Sequence, residues 1–183
     1  MARGNTEKPS EIYDKLIEEN ANQRKIYESL VEFYDHRHNQ DAKRQALRKM
    51  QEQFPGDVSI LKRIAQTYEK KDEWKSARAV YDSVQTMEGI SKNISIAIAR
   101  TFIQEDSLSA ADEIYRQALK NSPLNEELLK LRGKLQQNAE QWEASEKTFT
   151  TLAEINNSSY AYSRLAYAQA ELGDTESAFT NYR

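Results

Sequence analysis

Eleven polar side chains of this 183-residue chain have the type and placing to recognise a ligand: Lys62, Arg63, Gln66, Asn93, Arg100, Gln104, Lys130, Lys134, Asn138, Arg164 and Tyr167. Six of the eleven are basic, and Glu69, Glu127 and Glu171 are the acidic residues expected on the same lining. Ammonium and guanidinium groups in a row form charge-assisted hydrogen bonds with carboxylates, so such a lining suits an extended acidic segment or a C-terminal carboxylate. The same residues also fit a plainer description, solvated charge on exposed helix faces. Further upstream the lining turns acidic, with Glu28, Glu32 and Asp35 against Lys25. Those carboxylates either steer a ligand's polarity or simply face solvent, and the second reading is preferred for exposed charge.

Residues for reaction chemistry are not assembled in this sequence. It contains no glycine-rich phosphate loop, no Gly-x-Ser-x-Gly and no His-Glu-x-x-His. Cysteine is absent, which excludes disulfides, thiolate metal sites and a cysteine nucleophile. His36 and His38 flank Arg37; residues two apart do not share a helix face, so the pair reads as a solvated turn rather than a metal site. Trp74 and Trp142 stand at equivalent places and read as packing residues rather than a ligand platform. The expectation is a protein that is not an enzyme and has no cofactor and no metal.

Composition sets the class. With 38% hydrophobic and 30% charged residues the chain is polar, yet it is too rich in Tyr, Leu, Ile and Ala to be disordered. Five Gly and three Pro are too few for the frequent turns of a β-sandwich or barrel, which leaves an all-α fold. A net charge of −3 and a pI near 5.6 give no general attraction to nucleic acid or anionic lipid. MARGNTEKPS lacks the apolar core of a signal peptide, and no window approaches the roughly 18 apolar residues of a membrane span. The compartment stays open, since a cysteine-free chain suits cytosol and periplasm equally.

The elements that must position the polar lining follow from a 34-residue period. Ile64, Ala65 and Tyr68 are followed 34 residues later by Ile98, Ala99 and Phe102, and Ala77, Tyr81 and Val84 by Ala111, Tyr115 and Ala118. A fixed period of that length signals stacked units, each too small to bury its own apolar face. Within a unit the spacing is helical, as in Tyr27, Leu30, Val31 and Tyr34, and a polar run such as His36 to Gln40 separates two helices. Pro55-Gly56 closes one unit and Pro123 another. The predicted organisation is a disordered tail over 1–8, a capping helix over 9–23, and repeats over 24–57, 58–91, 92–125, 126–158 and 159–183, the last incomplete. Because the sequence stops within a helix, a longer repeat protein or a second copy covering that end is expected.

This pattern resembles the tetratricopeptide repeat, a helix–turn–helix unit of the same length. Leu61, Ile64-Ala65, Tyr68, Ala77, Tyr81 and Val84 carry the resemblance, as do Ile98-Ala99, Phe102, Ala111, Tyr115, Ala118 and Pro123. Leu129, Gly133, Phe149 and Leu152 follow more loosely, and Tyr162, Leu165-Ala166, Gly173, Ala178 and Tyr182 continue it. Lys43, Arg132 and Gln136 depart from it, standing where the pattern has apolar or small residues. The resemblance implies a right-handed superhelical solenoid of antiparallel helix pairs, about eleven helices, with the first helix of each pair lining a concave groove. It also implies a binding role. The two-carboxylate clamp of some family members is not reproduced: Lys62 fits its first place, but Gln66, Ala97, Glu127 and Leu131 occupy the others.

The expected function is a non-catalytic scaffold binding an extended or helical partner segment in that groove. Self-association through the last repeat, giving a homo-oligomer, is the alternative from a structural class. RNA binding is a third, opposed by the 34-residue period and the acidic balance. The partner expected is a protein or peptide, with no nucleic acid and no direct membrane insertion.

Overall fold

The computed structural model describes residues 9–20 and 22–182; the tail expected to be disordered over 1–8 lies outside them. Among the described residues the chain is all-α, with eleven helices and no strand. They are α1 (Pro9–Glu19), α2 (Arg24–His36), α3 (Gln40–Gln53), α4 (Val58–Glu69), α5 (Trp74–Glu88), α6 (Lys92–Gln104), α7 (Leu108–Asn121), α8 (Glu126–Asn138), α9 (Trp142–Asn156), α10 (Ser159–Glu171) and α11 (Thr175–Tyr182). None is long and apolar enough to cross a membrane.

Short polar residues start these helices by satisfying amides that have no intrahelical partner. The side chains of Asn39, Asp57, Asn125 and Ser158 accept hydrogen bonds from the backbone N–H groups of Ala42, Ser59, Leu128 and Ala161. The turn inside each helix pair is built the same way five times. His38, Asp72, Asp106, Glu140 and Gly173 all take positive φ, between 54° and 85°. They lie 34 residues apart, or 33 for the last step. At each turn the next residue's N–H reaches back past the helix end, as Glu73 N does to Tyr68 O (3.0 Å), Ser107 N to Phe102 O (2.9 Å) and Gln141 N to Gln136 O (2.8 Å). This closure satisfies terminal carbonyls. Only one of the five left-handed positions is glycine, so most of these turns hold a conformation that L-residues adopt at a cost.

The chain divides into two compact units, residues 1–87 and 88–183. In the first, Tyr27, Leu30 and Val31 of α2 pack with Leu47 and Met50 of α3 and Ile60 and Ile64 of α4, and Val80 of α5, partly buried, packs against this cluster. In the second, Ala111, Tyr115 and Ala118 of α7, Leu128 and Leu129 of α8, Phe149 and Leu152 of α9, and Ala161 and Leu165 of α10 form one core. Small residues let helices approach here. A Cβ on Gly133 would lie 2.6 Å from the Phe149 ring, so α8 reaches α9 only because position 133 has no side chain. The periodic positions Ile64, Ala65, Ala77, Tyr81 and Val84 are buried, and so are Ile98, Ala99, Ala111, Tyr115 and Ala118; Tyr68 and Phe102 are half-buried. Each fully buried large aliphatic or aromatic side chain contributes about 1.5–3 kcal/mol, and the period distributes that contribution over every unit.

Candidate functional site

In the first unit part of the predicted polar lining is occupied by its own counter-ions. Arg63 of α4 donates from Nη1 to Glu28 Oε2 of α2 at 2.6 Å, and the two side chains are about equally exposed at 29% and 31%. Arg24 pairs with Glu28 at 3.4 Å and also with Asp57 at the start of α4. Asp35 takes Lys43 Nζ at 2.7 Å and Lys70 Nζ at 3.5 Å. The Lys43 bond is the main reason that the Asp35 carboxyl sits below its ordinary range. The Asp57 carboxyl is likewise held low, by Ser59 first and then Arg24. Lys43 thus departs from the apolar repeat pattern because it neutralises Asp35. Of the other predicted residues in this unit, Lys62 is half-buried and Gln66 is exposed.

A second polar arrangement explains the departures at Arg132 and Gln136. Arg132 of α8 grips Asp112 of α7 with two hydrogen bonds, of 2.8 and 3.0 Å. Gln136, fully buried, donates from Nε2 to the same carboxylate at 2.9 Å, and its Oε1 lies 2.8 Å from the Thr148 hydroxyl of α9. One carboxylate therefore ties three helices together, and the buried amide has partners at both ends, as burial of a polar group requires. These residues serve the fold.

Three predicted cations of the second unit gather around one aromatic ring. Lys130 Nζ and Lys134 Nζ, one turn apart on α8, lie 6.0 and 5.8 Å from the centroid of Tyr160 on α10, and Arg164 Cζ lies 5.7 Å from it. These distances are at the outer reach of cation–π attraction. Arg164 and Gln137 hold each other: Arg164 Nη1 donates to Gln137 Oε1 at 3.2 Å, and Gln137 Nε2 donates to the Arg164 carbonyl at 2.9 Å. Lys130 is 3.5 Å from Glu126, whose carboxyl is lowered chiefly by Asn156 and then by Lys130. Among the described residues, neither Lys134 nor Arg164 has a carboxylate within ion-pairing distance. The Tyr160 ring is braced edge-on by Phe149 at 6.3 Å, and its shielded hydroxyl has no hydrogen-bond partner among the described residues. Lys130, Lys134, Leu131, Glu127 and Tyr160 border a depression of about 350 Å³.

The structure thus brings together three predicted residues, Lys130, Lys134 and Arg164. It also places Tyr167 edge-on against Trp142, with ring centroids 5.6 Å apart. Asn93, Arg100 and Gln104 are exposed along α6, and Asn138 is exposed at the end of α8. Arg100 acts on Tyr115, whose phenol is pushed up by burial and partly drawn back by that guanidinium. Glu127, expected to oppose the basic lining, is engaged by Lys92 Nζ at 2.5 Å. His38 adopts the left-handed turn conformation, and no three His, Asp or Glu side chains gather at metal-binding distance among the described residues. Sequence reasoning missed Tyr160, although its place four residues before Arg164 put the two on one face of a helix. It also missed the pairs Glu28–Arg63, Asp35–Lys70 and Lys92–Glu127, each 35 residues apart, one more than the repeat length.

No model of a known protein family matches this chain, and no curated protein matches it in sequence. Solved structures match it in fold. A MamA protein superposes with a TM-score of 0.67 over 86% of this chain and 87% of that one, at 14% identity. YrrB, described as a TPR protein with an unusual peptide-binding site, gives 0.64 over 92% and 88%, also at 14% identity. A tetratricopeptide repeat protein from Parabacteroides merdae ATCC 43184 gives 0.68 at 16% identity, over 93% of this chain and 64% of that one. At such identities the likeness concerns architecture, and the architecture of this chain is that of the tetratricopeptide-repeat proteins.

Proposed function

We propose that this protein is a non-catalytic interaction scaffold that holds an extended or helical segment of a partner protein, acidic in character, against α8 and α10. The observation that carries this reading is the grouping of Lys130, Lys134 and Arg164 around Tyr160. Three cations held near one ring repel each other, and an anion placed among them relieves that repulsion through charge-assisted bonds. The peptide-binding site ascribed to YrrB lends the fold likeness the same direction. Asn93, Arg100, Gln104, Asn138 and Tyr167 are proposed as further contacts in this unit; Lys62 and Gln66 are proposed as ligand contacts of the first unit taken by itself. Arg63 is proposed only as a weak one, because Glu28 already holds it.

Fluorescence anisotropy with acidic and basic peptides, at low and at physiological salt, tests the reading. The double variant Lys130→Glu, Lys134→Glu is expected to weaken an acidic peptide by about tenfold or more and to flatten its salt dependence. Equal affinity of variant and parent for acidic peptides would sink it. A second reading, self-association, is favoured by Phe179 and Tyr182, which are 61% and 77% exposed on α11. Sedimentation across a range of concentrations tests it, and a constant monomer mass would refute it.

A further inference from the structure

We propose that the partner segment carries an acidic residue and, about three residues away, a large apolar one, the carboxylate seated beside Tyr160 and the apolar side chain seated between α10 and α11. The inference rests on the scaffold reading above and narrows it to a two-point signature.

The anion seat is set by the ring, the exposed Lys134 and the Arg164 guanidinium, which its exchange of hydrogen bonds with Gln137 holds in place. A cation whose position is set beforehand loses little freedom when a carboxylate arrives. The apolar seat is adjacent. A depression of about 440 Å³ is lined by Tyr160, Arg164, Tyr167 and Tyr182 together with Ser159 and Ser163. A second, of about 420 Å³, is lined by Ala166, Tyr167, Ala170, Ala178, Phe179 and Tyr182, along with Thr175. The two share Tyr167 and Tyr182, so the surface runs without interruption from the cations to an almost wholly apolar hollow. Trp142 steadies Tyr167 through an edge-on ring contact at 5.6 Å.

Position and chemistry then set the spacing of the ligand. Tyr160, Arg164 and Tyr167 follow one another at i, i+4 and i+7 on one face of α10. Seven residues of helix rise about 10 Å, a distance that an extended segment covers in about three residues. Exposed aromatic rings over small alanines accept a leucine or phenylalanine side chain and gain area with little loss of rotamer freedom.

The test uses the full chain and an array of short Gly/Ser peptides bearing Glu and Leu three residues apart, Glu alone, or Leu alone. The Glu-plus-Leu peptide is expected to bind about tenfold or more tightly than either single-residue peptide. Lys134→Ala should reduce it to the level of Leu alone, and Tyr182→Ala to the level of Glu alone, with circular dichroism unchanged because both side chains are exposed. Glu alone binding as tightly as the pair overturns the apolar seat and leaves the acidic scaffold reading standing. Failure of every acidic peptide overturns both. A mass that doubles with concentration while excluding the peptides assigns the hollow to a second copy of the chain and also overturns the proposal.

Discussion

The two units of this chain treat their charges differently. In the first, carboxylates of the same or a neighbouring helix meet several cations: Glu28 with Arg24 and Arg63, Asp35 with Lys43 and Lys70, Asp41 and Glu73 with Arg44 and Lys71, while Arg37 lies over the Phe33 ring at 4.3 Å. In the second, Asp112 is used inside the fold, and Lys134 and Arg164 are left facing an aromatic ring instead of a carboxylate. Basic residues at comparable places in a repeat are therefore not equivalent. A cation already paired must lose one partner to gain another, and the exchange is worth little in water. One arrayed without a carboxylate gains a partner outright. By this criterion the proposed recognition surface lies in the second unit, around Tyr160.

Four substitutions separate the two units by stability or by peptide affinity. Phe149→Ala removes a fully buried ring that braces Tyr160 and fills the space beside Gly133, and should cost about 3–5 kcal/mol in urea denaturation. Asp112→Ala leaves Arg132 and Gln136 without their acceptor and should cost about 2–3 kcal/mol, discounted from a fully buried pair because both charged side chains remain about one fifth exposed. If Asp112→Ala proves neutral, the second unit's internal polar network is not what holds α7, α8 and α9. Lys134→Glu should leave stability unchanged within about 0.5 kcal/mol while reducing acidic-peptide affinity about tenfold, or about 1.4 kcal/mol. Glu28→Gln should do the reverse in the first unit, costing up to about 1 kcal/mol of stability without weakening peptide binding. Weaker binding by Glu28→Gln would erase the distinction between the units.

Acid should probe the first unit through Asp35. The folded pKa of this carboxyl lies below its unfolded value of about 3.9, chiefly through Lys43. A group depressed in the folded state binds fewer protons there than in the unfolded chain. Its contribution is complete above the unfolded pKa and is lost as pH falls through that value and then through the folded one. Melting temperature should therefore fall as pH drops below about 5, and Asp35→Asn should make that fall shallower. An identical slope in parent and variant would remove Asp35 from the account.

Much of the fold is legible in the sequence. Ile64 and Ile98, Ala77 and Ala111, Tyr81 and Tyr115 recur because a buried position in one unit is buried in the next, and repetition multiplies a weak signal. The left-handed turn at His38, Asp72, Asp106 and Glu140 was nearly hidden, since the usual glycine marker appears only at Gly173. The candidate site was half legible. Lys130, Lys134 and Arg164 stood out as polar residues on a first helix, whereas Tyr160 looked like one more tyrosine. Arg63 could not be told from Arg164 by type or by place in the repeat; Glu28 made the difference.

Residue order alone determined the helices, their pairing and the buried positions, because these depend on contacts within one repeat length and on apolar periodicity. Tertiary structure decided which charges remain available. Whether a cation meets a carboxylate depends on side chains from a neighbouring helix, at an offset of 35 residues for Arg63 and 20 for Arg132. Periodicity carries no information about that choice, since a Coulomb partner needs only proximity within a few ångströms. Stacking two helices brings many side chains that close, and only the assembled surface around Tyr160 shows which were left over.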